Sequence, residues 1–400
     1  MSHFDERVRD LVAHTYEKAP AIKQQFDDAG VSPQDIQSAA DLAKIPVINK
    51  DELVEIHKNN PPFGGFLTID PADLPRIYIS PGPIFDPQPP ADDPEVTLAA
   101  FRYVGFQRGD RVLNTFAYHL TPAGLLLDEG LRGCGATVLP TGPGNTDLQI
   151  MMATSLGATG FVGQPSYLMT ILDKVESMGM NADSFPIKKA LFSAEPYTPA
   201  QKARFEGEWG MKTTSAYGTA DLGFIGYTRD GIDGFVLTEN VLLQICDPQT
   251  GELVPDGEQG EIVATTFNKS YPLIRFGTGD LGAISPDLID GKNQHLLGLF
   301  GRSGGAIKVR GMFLHPNQLN AVKGIIPEIE RVQAIITRPE NKDVVTIKLQ
   351  LKDGGESEEI ANKVTALAQQ AARLRIDEII FVDEIDSSER TIVDARDWDS

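Results

Sequence analysis

The chain reads Ile274-Arg-Phe-Gly-Thr-Gly-Asp-Leu-Gly282, then Gly301-Arg-Ser303, and shortly afterwards Lys308-Val-Arg-Gly311. This stretch combines one Thr-Gly-Asp carboxylate, Asp280, with several cations, among them Arg302. Two vicinal hydroxyls of a ribose can both donate to one ionised carboxylate, and phosphates attract cations. The stretch therefore predicts a nucleotide-binding cleft.

Length, composition and charge limit the classes of protein that this chain can belong to. Its 400 residues, 41% hydrophobic and 23% charged, predict a soluble protein of two or three structural units. The net charge of −20 argues against a nucleic-acid polymer as partner, because binding one requires a basic face. Cys134 and Cys246 are interpreted as small core residues. There is no apolar run of about 18 residues and no export signal at the N-terminus, so we expect a cytoplasmic protein that does not enter a membrane.

The first part of the chain predicts helices and then an irregular connection. Apolar residues such as Val8 and Leu11 recur at helical spacing within residues 5–60, and a second short helix is expected at about 33–42. Pro, Asp and Gly are dense from 71 to 94, which predicts a long connection without regular structure.

Helix-like and strand-like segments then alternate, which implies a mostly parallel sheet covered by helices. The predicted helices are 97–106, 122–132, 146–156, 166–177 and 199–209, and the predicted strands are 111–116, 137–139, 160–162 and 189–192.

Beyond Tyr217 the pattern changes to a β-rich portion and then to a small α+β region. Residues 236–246 and 260–266 predict two antiparallel strands joined by a turn-rich segment. The last part predicts helices at 316–323 and 357–372 and strands at 332–337, 344–351 and 378–382. We therefore expect a large domain of residues 1–304 and a small C-terminal lid domain of residues 305–400.

Three further segments stand ahead of Asp280 and Arg302. They are Gly105-Phe-Gln-Arg-Gly-Asp-Arg-Val-Leu-Asn-Thr-Phe-Ala-Tyr-His119, Ser193-Ala-Glu-Pro196 and Ser215-Ala-Tyr-Gly-Thr-Ala-Asp221. In this order and at this spacing, the set resembles the acyl-adenylate-forming superfamily, and looks most like its phenylacetate-coenzyme A ligase branch. The resemblance implies an α/β fold with a large N-terminal adenylate-forming domain of mostly parallel sheets plus a β-rich portion, and a small α+β lid.

The resemblance also implies a role for each matching residue. Tyr217 would stack on adenine, Asp280 would hold the ribose hydroxyls, and Arg302 would lie near the phosphates. The implied nucleotide-binding residues are Glu195, Pro196, Ser215, Ala216, Tyr217, Gly218, Thr219, Asp280 and Arg302. The implied substrate pocket is Phe116, Tyr118, His119, Ala194 and Gly218, the metal ligand is Asp221, and the catalytic cations are Arg302, Lys308 and Arg390. The implied cofactors are ATP or AMP, Mg²⁺ and coenzyme A. The implied partner is a small carboxylic acid, and the implied assembly is a homodimer.

Two of these assignments also follow from the residues. A lone Thr-Gly-Asp is commonly just a turn, but Arg275, Arg302 and Tyr217-Gly218 accompany Asp280 in the same order and at similar spacing as in the family, which favours its role in a nucleotide cleft. Tyr118 and His119 follow a predicted strand, and side chains at the carboxyl end of a parallel strand face the ligand crevice of an open α/β sheet. An aromatic residue and a histidine at this place are also compatible with a cap over the core.

The sequence departs from the family in three places. The phosphate loop of the family is rich in Ser, Thr and Gly and ends in Lys-Pro, whereas residues 78–87 contain Pro81 and Pro83, which lack N–H donors, and carry Asp86 at the position of the lysine. An aspartate there is expected to repel a triphosphate. The catalytic lysine of the lid falls at about Ser388, with Arg390 the nearest cation, and the hinge aspartate is replaced by Gly304-Gly305.

Two hypotheses follow from this pattern. The first is an ATP-dependent, AMP-forming ligase that activates an aryl or related carboxylic acid as an acyl-adenylate and transfers it to coenzyme A. The second is a family member that binds or processes a ready-made acyl-adenylate or acyl-coenzyme A, or serves as an accessory biosynthetic protein, without adenylating. A dinucleotide-binding oxidoreductase is a distant third, because no Gly-x-Gly-x-x-Gly follows the first strand.

Overall fold

The computed structural model describes residues 3–80, 84–88, 94–303, 305, 307–310, 312–314, 316–372, 374–386 and 389–397. Its packing separates the chain into two units. The larger unit comprises Met1–Gln164, Lys174–Ala194 and Ala203–Gly301, and the smaller comprises Pro165–Asp173, Glu195–Lys202 and Arg302–Ser400. Within the described ranges, no helix combines the length and the apolar character that crossing a bilayer requires.

The described helices α1 to α10 follow the chain in order. They span His3–Lys18, Pro20–Asp28, Lys50–Asn59, Pro94–Val104, Ala123–Gly133, Thr146–Leu156, Pro165–Ser177, Pro199–Lys202, Pro316–Ile325 and Glu358–Ala372. A π-helical segment, Ala203–Glu208, continues α8. The predicted helices between residues 97 and 209 are confirmed, with small shifts at their ends.

The described strands β1 to β19 follow in the same way. They span Arg76–Ser80, Ile84–Gln88, Arg111–Asn114, Thr137–Pro140, Gly160–Gly163, Lys189–Phe192, Lys212–Thr219, Gly223–Arg229, Ile232–Leu237, Val241–Cys246, Gly260–Thr266, Phe276–Ile284, His295–Arg302, Ile307–Val309, Met312–Leu314, Ile329–Thr337, Val344–Leu351, Glu378–Phe381 and Ile392–Asp394.

The predicted helix at 33–42 is wrong, because this segment forms two short 3-10 turns, Pro33–Asp35 and Ala40–Lys44. The Asp35 carboxylate accepts a hydrogen bond from the Ser32 N–H at 2.8 Å. The Asp41 carboxylate accepts hydrogen bonds from the N–H groups of Gln37 and Ser38. These local bonds from side chain to backbone compete with a continuous helix.

One mixed sheet of eleven described strands forms the frame of the larger unit. Its order is β10-β11-β12-β13-β9-β8-β7-β6-β5-β3-β4. Strands β4, β3, β5, β6 and β7 pair in parallel, which confirms the predicted parallel sheet. From β7 onwards, the pairs β7–β8, β8–β9, β9–β13, β11–β12 and β10–β11 are antiparallel, so the parallel and antiparallel regions share β7.

The predicted strand at 236–246 is two strands, β9 and β10, which lie apart in the sheet. Between them, the Thr238 hydroxyl donates to the carbonyl of Ile225 at 3.0 Å, and the Asn240 amide donates to that of Phe224 at 3.2 Å. These two side chains hold the connection against β8, so the chain leaves the line of β9 there. The predicted antiparallel pairing with 260–266 is confirmed for β10.

The segment predicted to be irregular contains an antiparallel hairpin, β1–β2, in which Tyr78 pairs with Asp86 and Ser80 with Ile84. All four of these side chains are buried, whereas Ile77 and Phe85 on the opposite face are exposed. Burial of one face stabilises the hairpin in spite of its prolines. Residues 81–83 and 89–93, including Pro81 and Pro83, lie outside the described residues.

The apolar cores match this division of the chain. The N-terminal helices pack on the antiparallel region through a cluster that includes Phe26, Phe66 and Ile262, and α4 and α5 pack on the parallel region through Phe101 and Leu131. In the smaller unit, α9 and α10 pack on a sheet of order β18-β17-β16-β19 within the described residues. The predicted α+β character of the C-terminal region is confirmed, and β19 is a further strand.

Candidate active site

The carboxyl ends of the parallel strands bring three of the predicted segments to one edge of the sheet. Phe192 at the end of β6 is level with Ser215 in β7, and Asn114 at the end of β3 is level with Val162 in β5. Residues that follow β6 therefore emerge beside the second half of β7, and residues that follow β3 emerge at the same edge, two strands further along the sheet. This is the edge at which open α/β sheets bind ligands.

The aromatic segment after β3 is held by a side-chain network. Asn114 donates from its amide to the Tyr118 hydroxyl at 2.8 Å and to the carbonyl of Gly124 at 2.8 Å, and the Tyr118 hydroxyl contacts Asp128 at 3.1 Å. Burial, and then the charge of Asp128, raise the pKa of Tyr118. Phe116 and Tyr118 are half-buried and His119 is exposed. The phenol therefore anchors the segment and stays protonated at neutral pH.

The turn after β6 has strained backbone. Ala194 lies at φ 80°, a region that glycine adopts easily and that costs other residues free energy. The Ser193 hydroxyl donates to the carbonyl of Ala216 in β7 at 3.0 Å, which fixes the turn beside that strand. Strain of this kind clusters at functional sites, which agrees with the predicted place of Ala194 in the substrate pocket.

Tyr217 and Asp280 lie together in the larger unit. The Tyr217 hydroxyl donates to Asp280 Oδ2 at 2.8 Å, and the ring of Tyr217 lies 5.9 Å from that of Phe235. Tyr217 is buried in β7, and Asp280 is half-buried in β12. The structure thus joins the predicted adenine-stacking and ribose-binding residues through one hydrogen bond, which orients the carboxylate.

Neighbouring residues of β7 are closely packed. A methyl group added at Gly218 would lie 2.5 Å from the carbonyl oxygen of Gly223, where the register between β7 and β8 shifts. Ser215 and Ala216 are buried. The Thr219 hydroxyl accepts the N–H of Leu222 at 3.1 Å and closes the loop that carries Asp221.

Arg275 does not belong to the group of cations that the sequence predicted around the cleft. It is fully buried, and its guanidinium donates to the Gln244 side chain at 3.2 Å and to the carbonyl of Gly251. Arg275 is the residue just before β12, and its backbone has a left-handed conformation with φ 53°. Its side chain lies inside the antiparallel core and not in the cleft. The prediction was therefore wrong for Arg275, which is a structural residue.

Sequence reasoning missed Lys50. This residue is at the first position of α3, and its ammonium forms an ion pair with Asp221 and donates to the Ser80 hydroxyl at 3.0 Å. Ile48, just ahead of it, pairs with Phe276 at the start of β12, which brings α3 to the site. The sequence held a signal for Lys50. Asn49 and Glu52 form a capping box that marks the start of a helix, and a lysine in the first turn of a helix is unfavourable because the helix dipole is positive there.

Asp86 lies on the same inner face of the β1–β2 hairpin as Ser80. The residue is 6% exposed, and its Oδ2 atom has no hydrogen-bond partner among the described residues. Burial, and then the charge of Asp221, raise the pKa of Asp86 to about 7. The negative charge of this aspartate is therefore partly suppressed at neutral pH, which weakens the repulsion of a triphosphate expected from the sequence.

The oxygen donors of this region fit Mg²⁺. Within the described part of the chain, no three His, Cys, Asp or Glu side chains form a ready-made metal cage. Mg²⁺ normally binds one or two carboxylates together with the phosphates of a nucleotide, and Asp221 and Asp86 supply carboxylates of this kind.

In the smaller unit, Glu195 is held by an ion-pair network. One oxygen of its carboxylate accepts the N–H of Ser166 at 2.6 Å, and the other lies 3.0 Å from Arg338. Arg338 also contacts Asp343 at 3.1 Å, and Arg396 contacts the same carboxylate at 3.3 Å. The charge of Glu195 is thus paired, whereas its neighbour Pro196 is exposed.

Two of the predicted catalytic cations line one cleft of the smaller unit. Its volume is about 370 Å³, and it is bordered by Arg302, Ser303, Gly305, Pro316, Arg390, Thr391 and Ile392. Lys308 is in β14, outside this lining, and its carbonyl accepts a bond from Arg396 at 2.8 Å. Two guanidinium groups in one cleft suit a phosphate or a carboxylate. Ser388 and the hinge residue Gly304 lie outside the described residues.

Comparison with known proteins links this geometry to one group of enzymes. Residues 100–268 match the family model described as AMP-binding enzyme. The chain is 32% identical over 359 residues to a phenylacetate-coenzyme A ligase of Aromatoleum evansii, covering 86% of this chain and 80% of the relative. It is 27% identical over 365 residues to the phenylacetate-coenzyme A ligase of Escherichia coli K12, covering 87% and 82%.

A solved structure has the same fold. The crystal structure of 2-hydroxyisobutyryl-CoA ligase, in complex with 2-HIB-AMP and CoA in the thioesterification state, matches with a TM-score of 0.87 at 21% identity. The match covers 98% of this chain and 89% of that chain. The predicted fold class is therefore confirmed.

Proposed function

The chain belongs to the phenylacetate-coenzyme A ligase family of AMP-binding enzymes, and from this membership we propose that it is an AMP-forming ligase of an aryl or related carboxylic acid. The enzyme would activate the acid with ATP as an acyl-adenylate and then transfer the acyl group to coenzyme A. The observation that carries the proposal is the hydrogen bond from Tyr217 to Asp280, because it holds an aromatic side chain and an oriented carboxylate side by side.

Recognition of the adenosine part follows from this pair. The ribose hydroxyls would donate to Asp280, and a bond between a hydroxyl and an ionised acceptor is stronger than a neutral one. Adenine would stack on Tyr217, with Ser215, Ala216, Gly218 and Thr219 at its border. The acid would occupy the pocket beside Phe116, Tyr118, His119 and Ala194, at the carboxyl edge of the parallel strands.

In the adenylation step, a carboxylate oxygen of the acid attacks the α-phosphorus of ATP and pyrophosphate leaves. Mg²⁺, held by Asp221, would neutralise phosphate charge when bound. Lys50 would supply the cation that the phosphate loop lacks at position 86, because its ammonium already bonds to Ser80 at the end of β1. A fixed cation beside developing negative charge lowers the barrier.

Arg302 and Arg390 are the proposed cations of the lid. They border one cleft, so both can face an anionic group there, in place of the lysine that the family carries near position 388. Lys308, in β14, is the third proposed cation and does not line this cleft. The role of Glu195 would be to position the turn that borders adenine, since its own charge is paired with Arg338.

One observation favours the second hypothesis, a protein that binds acyl-adenylate without making it. Pro81 and Pro83 remove two N–H donors from the loop that surrounds a triphosphate in the family, and this loss concerns pyrophosphate but not AMP. Such a protein would keep the Tyr217–Asp280 pair and lose only the first half-reaction.

We also propose a cytoplasmic location, a homodimer and a domain boundary between residues 304 and 305.

Pyrophosphate release with ATP, Mg²⁺ and a panel of aryl and short-chain acids tests the proposal. We expect release that depends on the acid, and a coenzyme A thioester when coenzyme A is added. Tight binding of a non-hydrolysable acyl-adenylate mimic without pyrophosphate release from any acid would instead support the second hypothesis. Failure to bind AMP or the mimic at all would contradict both.

A further inference from the structure

A buried carboxylate, Asp86, a half-buried one, Asp221, and one lysine lie at the inner side of the β1–β2 hairpin. Lys50 is bonded to Asp221 and to Ser80, and Asp86 lies on the same buried face of the hairpin as Ser80. When both carboxylates are ionised, two negative charges face one positive charge. Such an imbalance is costly away from water, unless a further cation can enter.

Asp86 is the member of this group whose hydrogen bonding is incomplete. Its side chain is 6% exposed, and Oδ2 has no hydrogen-bond partner among the described residues. A buried carboxylate oxygen without a donor is unusual in a folded protein and calls for an explanation. A metal ion is one explanation that also accounts for the charge.

The chemistry of the group suits a divalent, hard cation. Asp86 and Asp221 offer carboxylate oxygens and Ser80 a hydroxyl oxygen, which Mg²⁺ and Mn²⁺ prefer to nitrogen or sulfur. Mg²⁺ usually takes one or two protein carboxylates and fills its other positions with water and phosphate oxygens. A site with two carboxylates that opens towards the phosphates of a nucleotide matches this habit.

We infer that Asp86 and Asp221 are both ligands of one divalent cation, and that the Lys50 ammonium fills the place of this cation until it binds. The inference rests on the proposed function for the nucleotide that would share the metal. It accounts for the aspartate at the position of the phosphate-loop lysine. Because Lys50 brings the positive charge from α3, position 86 is available for a metal ligand. Once the metal ion binds Asp221, the released Lys50 side chain can reach the phosphates.

Mn²⁺ binding to the full-length protein tests the first half of the inference, with free Mn²⁺ measured by electron paramagnetic resonance. The experiment uses Mn²⁺ with and without α,β-methylene-ATP, which cannot transfer its adenylyl group, and no acid. We expect Asp86→Asn and Asp221→Asn each to weaken Mn²⁺ binding in the presence of the analogue by at least about tenfold. The matched control is Asp51→Asn, an exposed aspartate next to Lys50 in α3, which should bind Mn²⁺ like the unmodified protein.

The second half concerns Lys50 and needs no change at Asp86. Lys50→Met removes the resident ammonium, so we expect Mn²⁺ to bind more tightly in the absence of nucleotide and to raise the melting temperature more than in the unmodified protein. Lys58→Met, on the same helix and exposed, is the control. This measurement remains available if Asp86→Asn does not fold.

Either half can overturn the inference. If Asp86→Asn bound Mn²⁺ with an affinity within fivefold of the unmodified protein, Asp86 would not be a metal ligand. If Lys50→Met bound Mn²⁺ like the unmodified protein, Lys50 would not compete with the cation for its place. Because no turnover is measured, these results are independent of the ligase assay. A protein that binds Mn²⁺ through Asp86 but releases no pyrophosphate would contradict the proposed function and leave the metal site standing.

Discussion

Lys50 forms an ion pair with Asp221, although 171 positions separate the two residues in the sequence. The pair connects the start of α3 with the loop after β7, and the bond from Lys50 to Ser80 adds the β1–β2 hairpin. A chain whose phosphate loop lacks its lysine thus has a cation at the same hairpin from another element. This relationship offers a replacement for the missing lysine of the phosphate loop, whereas the N–H donors lost at Pro81 and Pro83 are not replaced by it.

The first prediction concerns Lys50 in adenylation. Lys50→Met should lower kcat/KM for pyrophosphate release by about 10²–10³-fold, because a cation aimed at transition-state charge is lost. Lys50→Arg should recover part of the activity, and Lys58→Met should leave it unchanged. A Lys50→Met enzyme within twofold of the unmodified one would show that the ammonium does not act on the phosphates.

The second prediction concerns the Tyr217–Asp280 pair. Tyr217→Phe should weaken AMP binding about fivefold, because it removes the bond that orients Asp280, and Asp280→Asn should weaken it by about 10–100-fold through loss of charge-assisted bonds. Calorimetric titration with AMP measures both. Tyr103→Phe is the control, because the Tyr103 hydroxyl accepts the N–H of Asp230 elsewhere in the larger unit. Equal affinities for Asp280→Asn and the unmodified protein would contradict a ribose-binding role.

The third prediction concerns the stability of the larger unit at acidic pH. Burial, and then the charge of Lys50, lower the pKa of His57 to about 4 from its ordinary value of 6.5, and its Nε2 atom contacts the Tyr271 hydroxyl at 2.9 Å. Between these two values the unfolded chain binds a proton that the native chain does not. The free energy of unfolding should therefore fall as the pH drops from about 6.5 towards 4, by ~1.4 kcal/mol for each unit of pKa difference.

Urea unfolding at several pH values checks this third prediction. Other groups also titrate in the same range, so the informative quantity is the difference between the unmodified protein and His57→Gln. The variant should lose less stability than the unmodified protein across this window. Parallel curves for the two proteins would contradict the role given to His57.

The fourth prediction concerns Gly218. Gly218→Ala should lower the free energy of unfolding by about 1–3 kcal/mol, because the added methyl would lie 2.5 Å from the Gly223 carbonyl and must displace backbone. Gly207→Ala is the matched control, because a methyl there has open space around it. A Gly218→Ala protein as stable as Gly207→Ala would mean that the β7–β8 bulge can relax.

The sequence predicted the parallel region well because its signals are local. Each strand and helix from residue 97 to 209 carries its own apolar pattern, and the end of each segment has turn residues. The hairpin at 76–88 and the break between β9 and β10 were missed because they depend on contacts with distant elements. The inner face of the hairpin is covered by other parts of the larger unit, and Thr238 and Asn240 bond to β8.

The sequence by itself determined the α/β architecture, the family and the order of Tyr217, Asp221 and Asp280, because these depend on periodicity and short motifs. Only the tertiary structure decided which charges meet. It buried Arg275 in the antiparallel core, turned Asp86 inward, and brought Lys50 to Asp221 through the pairing of Ile48 with Phe276. Electrostatic interactions depend on distance in space, and only folding brings residues that are far apart in the chain to within bonding distance.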